Sequence, residues 1–413
     1  MNLWGWIVLT SLVAVFALKR AADLLNLSCL KGDPPEEFKD VLDGETHAKA
    51  LAYERARLVY SMAAASYDLL LVLGFWFFGG FAAWDVVARS FHGGAIVTGL
   101  IYVGGFFYAH DLVTLPFQIY STFVLEARFG FNRTTVKTFL LDKAKMWLLA
   151  ALLGGLILAA IFAFFGWAAR SAWLWAWGAT VSFGLIVEFV APTWIMPLFN
   201  KFTPLPDGDL RTSIFDLAAR TSFPLTNVFV MDGSKRSSKS NAFFTGFGRN
   251  KRIALFDTLI RQHTVPELTA VMAHEIGHYK KKHILVGTVL SALQQGVMFF
   301  LLSLFVKEPA LFAAFGVAVP SVHVGLVLFG LLYTPASFVL DLGMTALSRR
   351  HEYQADRYAT EAMKGAAPMI AALKKLSVTN LSQLTPHPFY VALHYTHPPV
   401  PARLAALRNA PPA

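Results

Sequence analysis

Three things are scarce in this chain of 413 residues, and each scarcity excludes something. There is one cysteine, Cys29. That rules out an intramolecular disulfide framework and any zinc site built from thiolates. Charged residues are only 15% of the chain, against about 25% in a typical soluble domain. With 55% hydrophobic residues and a mean hydropathy of +0.50, the composition excludes an ordinary soluble domain. It points to a polytopic membrane protein carrying a smaller polar part. Acidic residues are the scarcer sign, 26 against 36 lysines and arginines. The resulting net charge of +10 does not call for a nucleic-acid partner, and none is expected. Membrane proteins gather basic residues in cytoplasmic loops, beside anionic lipid heads. The first apolar run lacks a basic segment before it and a small-residue cleavage site after it, so it reads as an uncleaved membrane helix. No internal repeat is visible. No pair of matched inverted halves is visible either, which argues against a transporter.

Long apolar runs, by contrast, are abundant. Seven stretches approach the roughly 20 residues needed to cross a bilayer as a helix: 3–18, 61–84, 95–119, 146–167, 173–198, 284–306 and 321–347. The last ends at Arg349-Arg350 and reads partly as a helix extended into the cytosol. The connections alternate in charge. The first holds Lys19, Arg20, Lys31, Lys39, Lys49, Arg55 and Arg57, and the third holds Arg128, Arg133, Lys137, Lys143 and Lys145. The second, fourth and sixth hold little beyond Arg89, Arg170 and Lys307. This positive-inside pattern places the N-terminus outside and the 199–283 segment and C-terminus in the cytoplasm. The membrane would be a bacterial inner membrane or that of the endoplasmic reticulum.

The expected fold is an all-α polytopic membrane protein of about seven transmembrane helices with a small α+β cytosolic domain, zincin-like and metalloprotease by the His274-Glu275-Ile-Gly-His278 motif it carries. Residues 1–199 form five membrane helices and their loops. Residues 200–283 form the first half of the metalloprotease domain, 284–347 two further membrane helices, and 348–413 its second half. The halves are expected to fold against each other. Residues 227–231 read as a strand, 240–244 and 252–256 as a hairpin turning at 246–250, and Pro266 as the start of a helix running through His278. The proline-rich end, from Asn409, reads as a frayed tail.

The chemistry starts at His274-Glu275-Ile276-Gly277-His278, an H-E-x-x-H pattern. At about 3.6 residues per turn the two histidines stack on one helix face and can share a tetrahedral zinc ion. Glu275 lies about 100° around the helix, placed to act as general base toward the attacking water. The plain alternative is a polar helix surface with incidental histidines. A third ligand is needed, and Arg350-His351-Glu352-Tyr353-Gln354-Ala355-Asp356 offers it. Glu352 is the better candidate, completing a His₂Glu set for one zinc. His351 competes but points about 100° away, so only one of the two serves. Asp356, one turn beyond Glu352, suits a supporting hydrogen bond to a zinc histidine. It could instead pair with Arg349 or Arg350 on a charged surface helix. His283 falls on a different face from His278 and reads as an interfacial residue, not a ligand.

These residues, with Glu126-Ala-Arg-Phe-Gly-Phe-Asn-Arg-Thr134, Pro192-Thr-Trp-Ile-Met-Pro-Leu-Phe-Asn200, Ser240-Asn-Ala-Phe-Phe-Thr-Gly246 and His397-Pro-Pro, run in an order that resembles the type I CaaX prenyl proteases. These are integral-membrane zinc metalloproteases with H-E-x-G-H and later E-[FY]-x-A-D. The resemblance covers nearly the whole chain. It implies a seven-helix membrane domain around a chamber, with the zinc site facing inward beneath a cytosolic cap. It implies endoproteolysis near the C-terminus of a lipidated protein or peptide substrate; the chain is expected to be a monomer in the lipid bilayer. By the same resemblance His274, His278 and Glu352 bind zinc and Glu275 is the base. Asp356 and Arg403 support the ligands, and Asn241 and His397 contact the scissile region. On residue chemistry alone His397 is an oxyanion donor or a turn histidine before prolines. Asn241 is a turn cap or a backbone-binding group on an edge strand open to β-augmentation. Arg403 would pair with an acid in the cap. A general membrane quality-control zinc protease without a prenyl requirement is the alternative activity.

Overall fold

The computed structural model describes residues 1–245 and 252–409. Five helices are long and apolar enough to cross a membrane: Gly44–Phe77, Gly94–Val113, Val136–Trp167, Ala172–Leu198 and His283–Phe305. A sixth crossing arises if Val322–Leu332 and Thr334–Met363, bent by 56° at their junction, act as one span. The bend has a chemical cause. Pro335 follows the break, and proline lacks the N–H that a continuous helix would need there. The first expected span, 3–18, lies inside the helix Leu3–Ser28, capped by the Asn2 side chain on the Gly5 N–H. The expected 61–84 span is interrupted. Gly44–Phe77 stops at Phe78, Gly79 takes a left-handed φ of 75°, and a separate helix Gly80–Ser90 begins.

The polar part carries a four-stranded sheet of order β1-β2-β4-β3. β1 is Phe202–Pro204, β2 Val228–Met231, β3 Ala242–Thr245 and β4 Arg252–Phe256. β2 and β4 are parallel, while β1 and β3 run antiparallel to their neighbours. The expected strand and hairpin are both present. The hairpin's turn, 246–250, and the tail beyond Asn409 lie outside the described residues. β1 was not anticipated, being three residues long and ending in proline.

Helix Val265–Lys280 packs on this sheet and carries the H-E-x-x-H motif. Its start is fixed by a capping box, in which Thr264 and Glu267 satisfy each other's backbone N–H groups. Leu268, Met272 and Ile276 enter one core with Ile253 and Leu255 of β4 and with Ile214 and Leu217 of the helix Asp209–Arg220. Ala359 of Thr334–Met363 belongs to the same core, so the segments before and after the His283–Phe305 helix are not separate folding units. The two polar stretches close on each other across the membrane hairpin.

Candidate metal centre

The motif helix presents His274 and His278 one above the other, with their Nε2 atoms 3.1 Å apart. The Thr334–Met363 helix crosses it closely. The reason is Gly277: a Cβ there would lie 3.1 Å from Cα and 3.2 Å from O of Ala355. That approach brings Glu352 opposite the histidines. Its Oε2 is 3.4 Å from Nε2 of His274, and its Oε1 is 3.3 Å from Nε2 of His278. Ligand atoms about 2.0–2.1 Å from a tetrahedral ion lie about 3.3 Å apart, so these spacings suit a zinc-sized cation. His274, His278 and Glu352 form the one group of three or more metal-type side chains among the described residues. His351 is not in it. Its ring stacks on His283 instead, with centroids 3.9 Å apart.

The donor chemistry also fits a cation. Nδ1 of His274 lies 2.9 Å from Oδ1 of Asp356, in a contact too bent for a well-formed hydrogen bond. It still favours the proton on Nδ1, leaving Nε2 with a bare lone pair. That lone pair converges with the His278 nitrogen and the Glu352 oxygens, and positive charge is needed between them. Burial resists charge on His274, but the contacts with Asp356 and Glu352 outweigh it and lift its pKa to about 9. Without a cation the ring therefore also takes a proton on Nε2 at neutral pH, and a metal ion entering the group would displace that Nε2 proton.

Arg403 holds both acids. Arg403, on the helix Val400–Arg408, grips Asp356 with two hydrogen bonds, Nε to Oδ2 at 2.8 Å and Nη2 to Oδ1 at 2.6 Å. Its Nη1 stands 3.3 Å from Oε2 of Glu352. All three side chains are buried. A fork of this kind fixes carboxylates in position, and removing one buried partner costs about 3–5 kcal/mol. Asp356 is thus not paired with Arg349, which donates to the carbonyls of Val391 and Tyr395.

Glu275 stands apart from these pairings. It makes no hydrogen bond or ion pair among the described residues, and burial raises its pKa above the usual carboxylate value. An enclosed, uncommitted carboxylate of raised pKa is suited to proton transfer. His397 reaches the same place from the C-terminal segment. Its Nε2 is 3.3 Å from Oε1 of Glu352, and its Nδ1 is 3.0 Å from the Thr396 hydroxyl. Its side chain is 63% accessible, yet surrounding protein lowers its pKa. That shift favours the neutral ring.

Asn241 lies elsewhere. It is exposed at the start of β3, and its side chain accepts from the Ala242 N–H at 2.9 Å. Its neighbour Ser240 is pinned on three sides. The Ser240 N–H donates to Asn380 Oδ1, the Asn380 amide donates to the Ser240 carbonyl, and the Ser240 hydroxyl donates to Gln262. β3 is an outer strand of the sheet and packs beside the motif helix. Among the described residues Asn241 makes no contact with the metal group.

His283 lies nearer the metal group than its phase on an ideal helix implies. An interfacial position follows from a helix running unbroken past His278, but the helix ends at Lys280. Lys282 takes a left-handed φ of 58° and a new helix begins at His283. The turn swings His283 back, buried, with its Nδ1 3.1 Å from Nδ1 of His278. Its Nε2 lies 2.8 Å from Oε1 of Gln354. Sequence reasoning missed both residues. The signal was the run of lysines, which marks a helix end as readily as a charged surface.

Two family models match. Residues 24–201 match the CAAX prenyl protease N-terminal region of five membrane helices, and residues 204–410 match peptidase family M48. The chain belongs to peptidase family M48. Curated members similar to it include "Probable CAAX prenyl protease 1" of Schizosaccharomyces pombe, 35% identical over 92% of this chain and 82% of that protein. "CAAX prenyl protease 1" of Saccharomyces cerevisiae is 36% identical over 90% and 88%. The crystal structure of S. mikatae Ste24p superposes with a TM-score of 0.91 at 34% identity, covering 98% of this chain and 99% of that one. This M48 chain is a membrane-embedded metalloendopeptidase of the CAAX prenyl protease type.

Proposed function

We propose that the chain uses one zinc ion, held by His274, His278 and Glu352, to cleave a peptide bond near the C-terminus of a prenylated, CaaX-type substrate. The observation that carries this reading is the convergence of two imidazole nitrogens and a buried carboxylate at 3.1, 3.3 and 3.4 Å. An uncommitted glutamate follows the first histidine. When bound, zinc lowers the pKa of water to about 7 and polarises the scissile carbonyl. Glu275 takes the proton from the attacking water and returns it to the leaving amine. The neutral His397 donates its Nε2–H toward the developing oxyanion. Asp356 and Arg403 keep the ligands in place. Asn241 and the open edge of β3 would take the substrate backbone as an added strand.

The division at 199, 283 and 347 into alternating membrane and protease segments belongs to the same reading. So do seven crossings around a chamber, an outside N-terminus and a cytoplasmic protease domain. The loop charges support the orientation. Ionisable groups within apolar stretches support a hydrated interior, since such groups avoid lipid. Asp111, for example, is held by Lys143, Gln118 and Trp147. A monomer in an endoplasmic reticulum or bacterial inner membrane completes the proposal.

Matched peptides ending in a CaaX sequence, with and without a farnesyl group, test the substrate. Purified protein should cleave the farnesylated form at least about tenfold faster, as kcat/KM. Equal rates would favour the quality-control activity.

A further inference from the structure

We infer that His283 and Gln354 are positioning residues for the metal: Gln354 fixes the ring of His283, and His283 fixes the ring of His278. The inference rests on the zinc reading above and concerns the half of the site that no carboxylate supports.

The argument runs through donors and acceptors. An amide oxygen only accepts, so Oε1 of Gln354 at 2.8 Å takes a proton from Nε2 of His283. In a neutral imidazole the other nitrogen then carries a lone pair. That nitrogen, Nδ1 of His283, lies 3.1 Å from Nδ1 of His278. One of two facing ring nitrogens must be the donor, and His283 has no proton left there. His278 therefore holds its proton on Nδ1, and its Nε2 lone pair points at His274 and Glu352. That is the tautomer a metal ligand requires. His274 receives the same service from Asp356, so each imidazole has its own orienting partner, one charged and one neutral.

The surroundings fit this purpose. His283 is buried, and His351 lies flat on its ring at 3.9 Å with the planes 7° apart. The ring is thereby held in one plane. The backbone accepts a strained, left-handed Lys282 to bring His283 back toward His278, and strain of this kind persists where the surrounding structure enforces it. Gln354 sits two residues beyond Glu352 on the Thr334–Met363 helix. One rigid element thus supplies the third ligand and the far end of the chain that orients the second.

Zinc affinity of the purified full-length protein, by competition with a chromophoric chelator, tests the inference without reference to activity. His283→Leu removes the acceptor and should weaken zinc binding about 10–100-fold. His283→Asn returns an oxygen near the Nδ1 position and should stay within about threefold of wild type. Gln354→Met should weaken binding and Gln354→Glu should not. Wild-type affinity in His283→Leu overturns the inference. So does equal loss in His283→Leu and His283→Asn, which would mean packing alone. If His283→Leu does not fold, the Gln354 pair decides, and equal affinities there overturn the inference. A wild-type protein that binds no zinc would instead sink the zinc reading itself.

Discussion

Glu352 and His351 are adjacent in the chain, but one faces the paired imidazoles and the other stacks away on His283. At this scale the sequence was largely readable. The four-residue spacing of His274 and His278 and the same spacing of Glu352 and Asp356 each define one helix face. Of the eight candidate residues, the six other than Asn241 and Glu275 are joined by direct contacts in the structure. What could not be read was anything depending on a break in helical phase. His283 falls on the wrong face of an ideal helix and reaches His278 only through the left-handed Lys282. Glu352→Ala should lower zinc content to background by elemental analysis, whereas His351→Ala should keep near-stoichiometric zinc. Zinc retained in the first and lost in the second would reassign the third ligand.

At the scale of elements, the site depends on two helices passing closer than side chains normally allow. Gly277 faces the backbone of Ala355 and the Cβ of Tyr358 at 3.1–3.2 Å. A methyl group there pushes the motif helix from the Thr334–Met363 helix by a few tenths of an ångström. Gly277→Ala should cost about 1–3 kcal/mol of stability, as overpacking does. A lowered unfolding midpoint and a weaker zinc affinity in the same protein would confirm it. An unchanged midpoint would show that the helices yield freely. The motif helix and hairpin were readable because their capping box and alternating apolar residues are local. The break at Tyr333 and the one at Gly79 were not, because apolar runs through both positions hide the change of direction.

At the scale of the whole molecule, the candidate metal centre is assembled from segments separated in sequence by the apolar helices His283–Phe305 and Val322–Leu332. Loop charges predict an outside N-terminus and a cytoplasmic site. A cysteine placed at position 170 in a Cys29→Ser background should react with a membrane-impermeant maleimide from the outer side only. Labelling from the cytoplasmic side would reverse the proposed topology. The number of crossings is hard to read from the sequence, since hydropathy does not distinguish a straight span from a bent one. The central claim is that Glu275 moves the proton while its neighbours hold the metal. It is tested most directly by Glu275→Gln, assayed for zinc and for cleavage of a farnesylated CaaX peptide in one preparation. The account predicts wild-type zinc content with cleavage reduced by at least about 10³-fold. Full zinc with undiminished cleavage would contradict it.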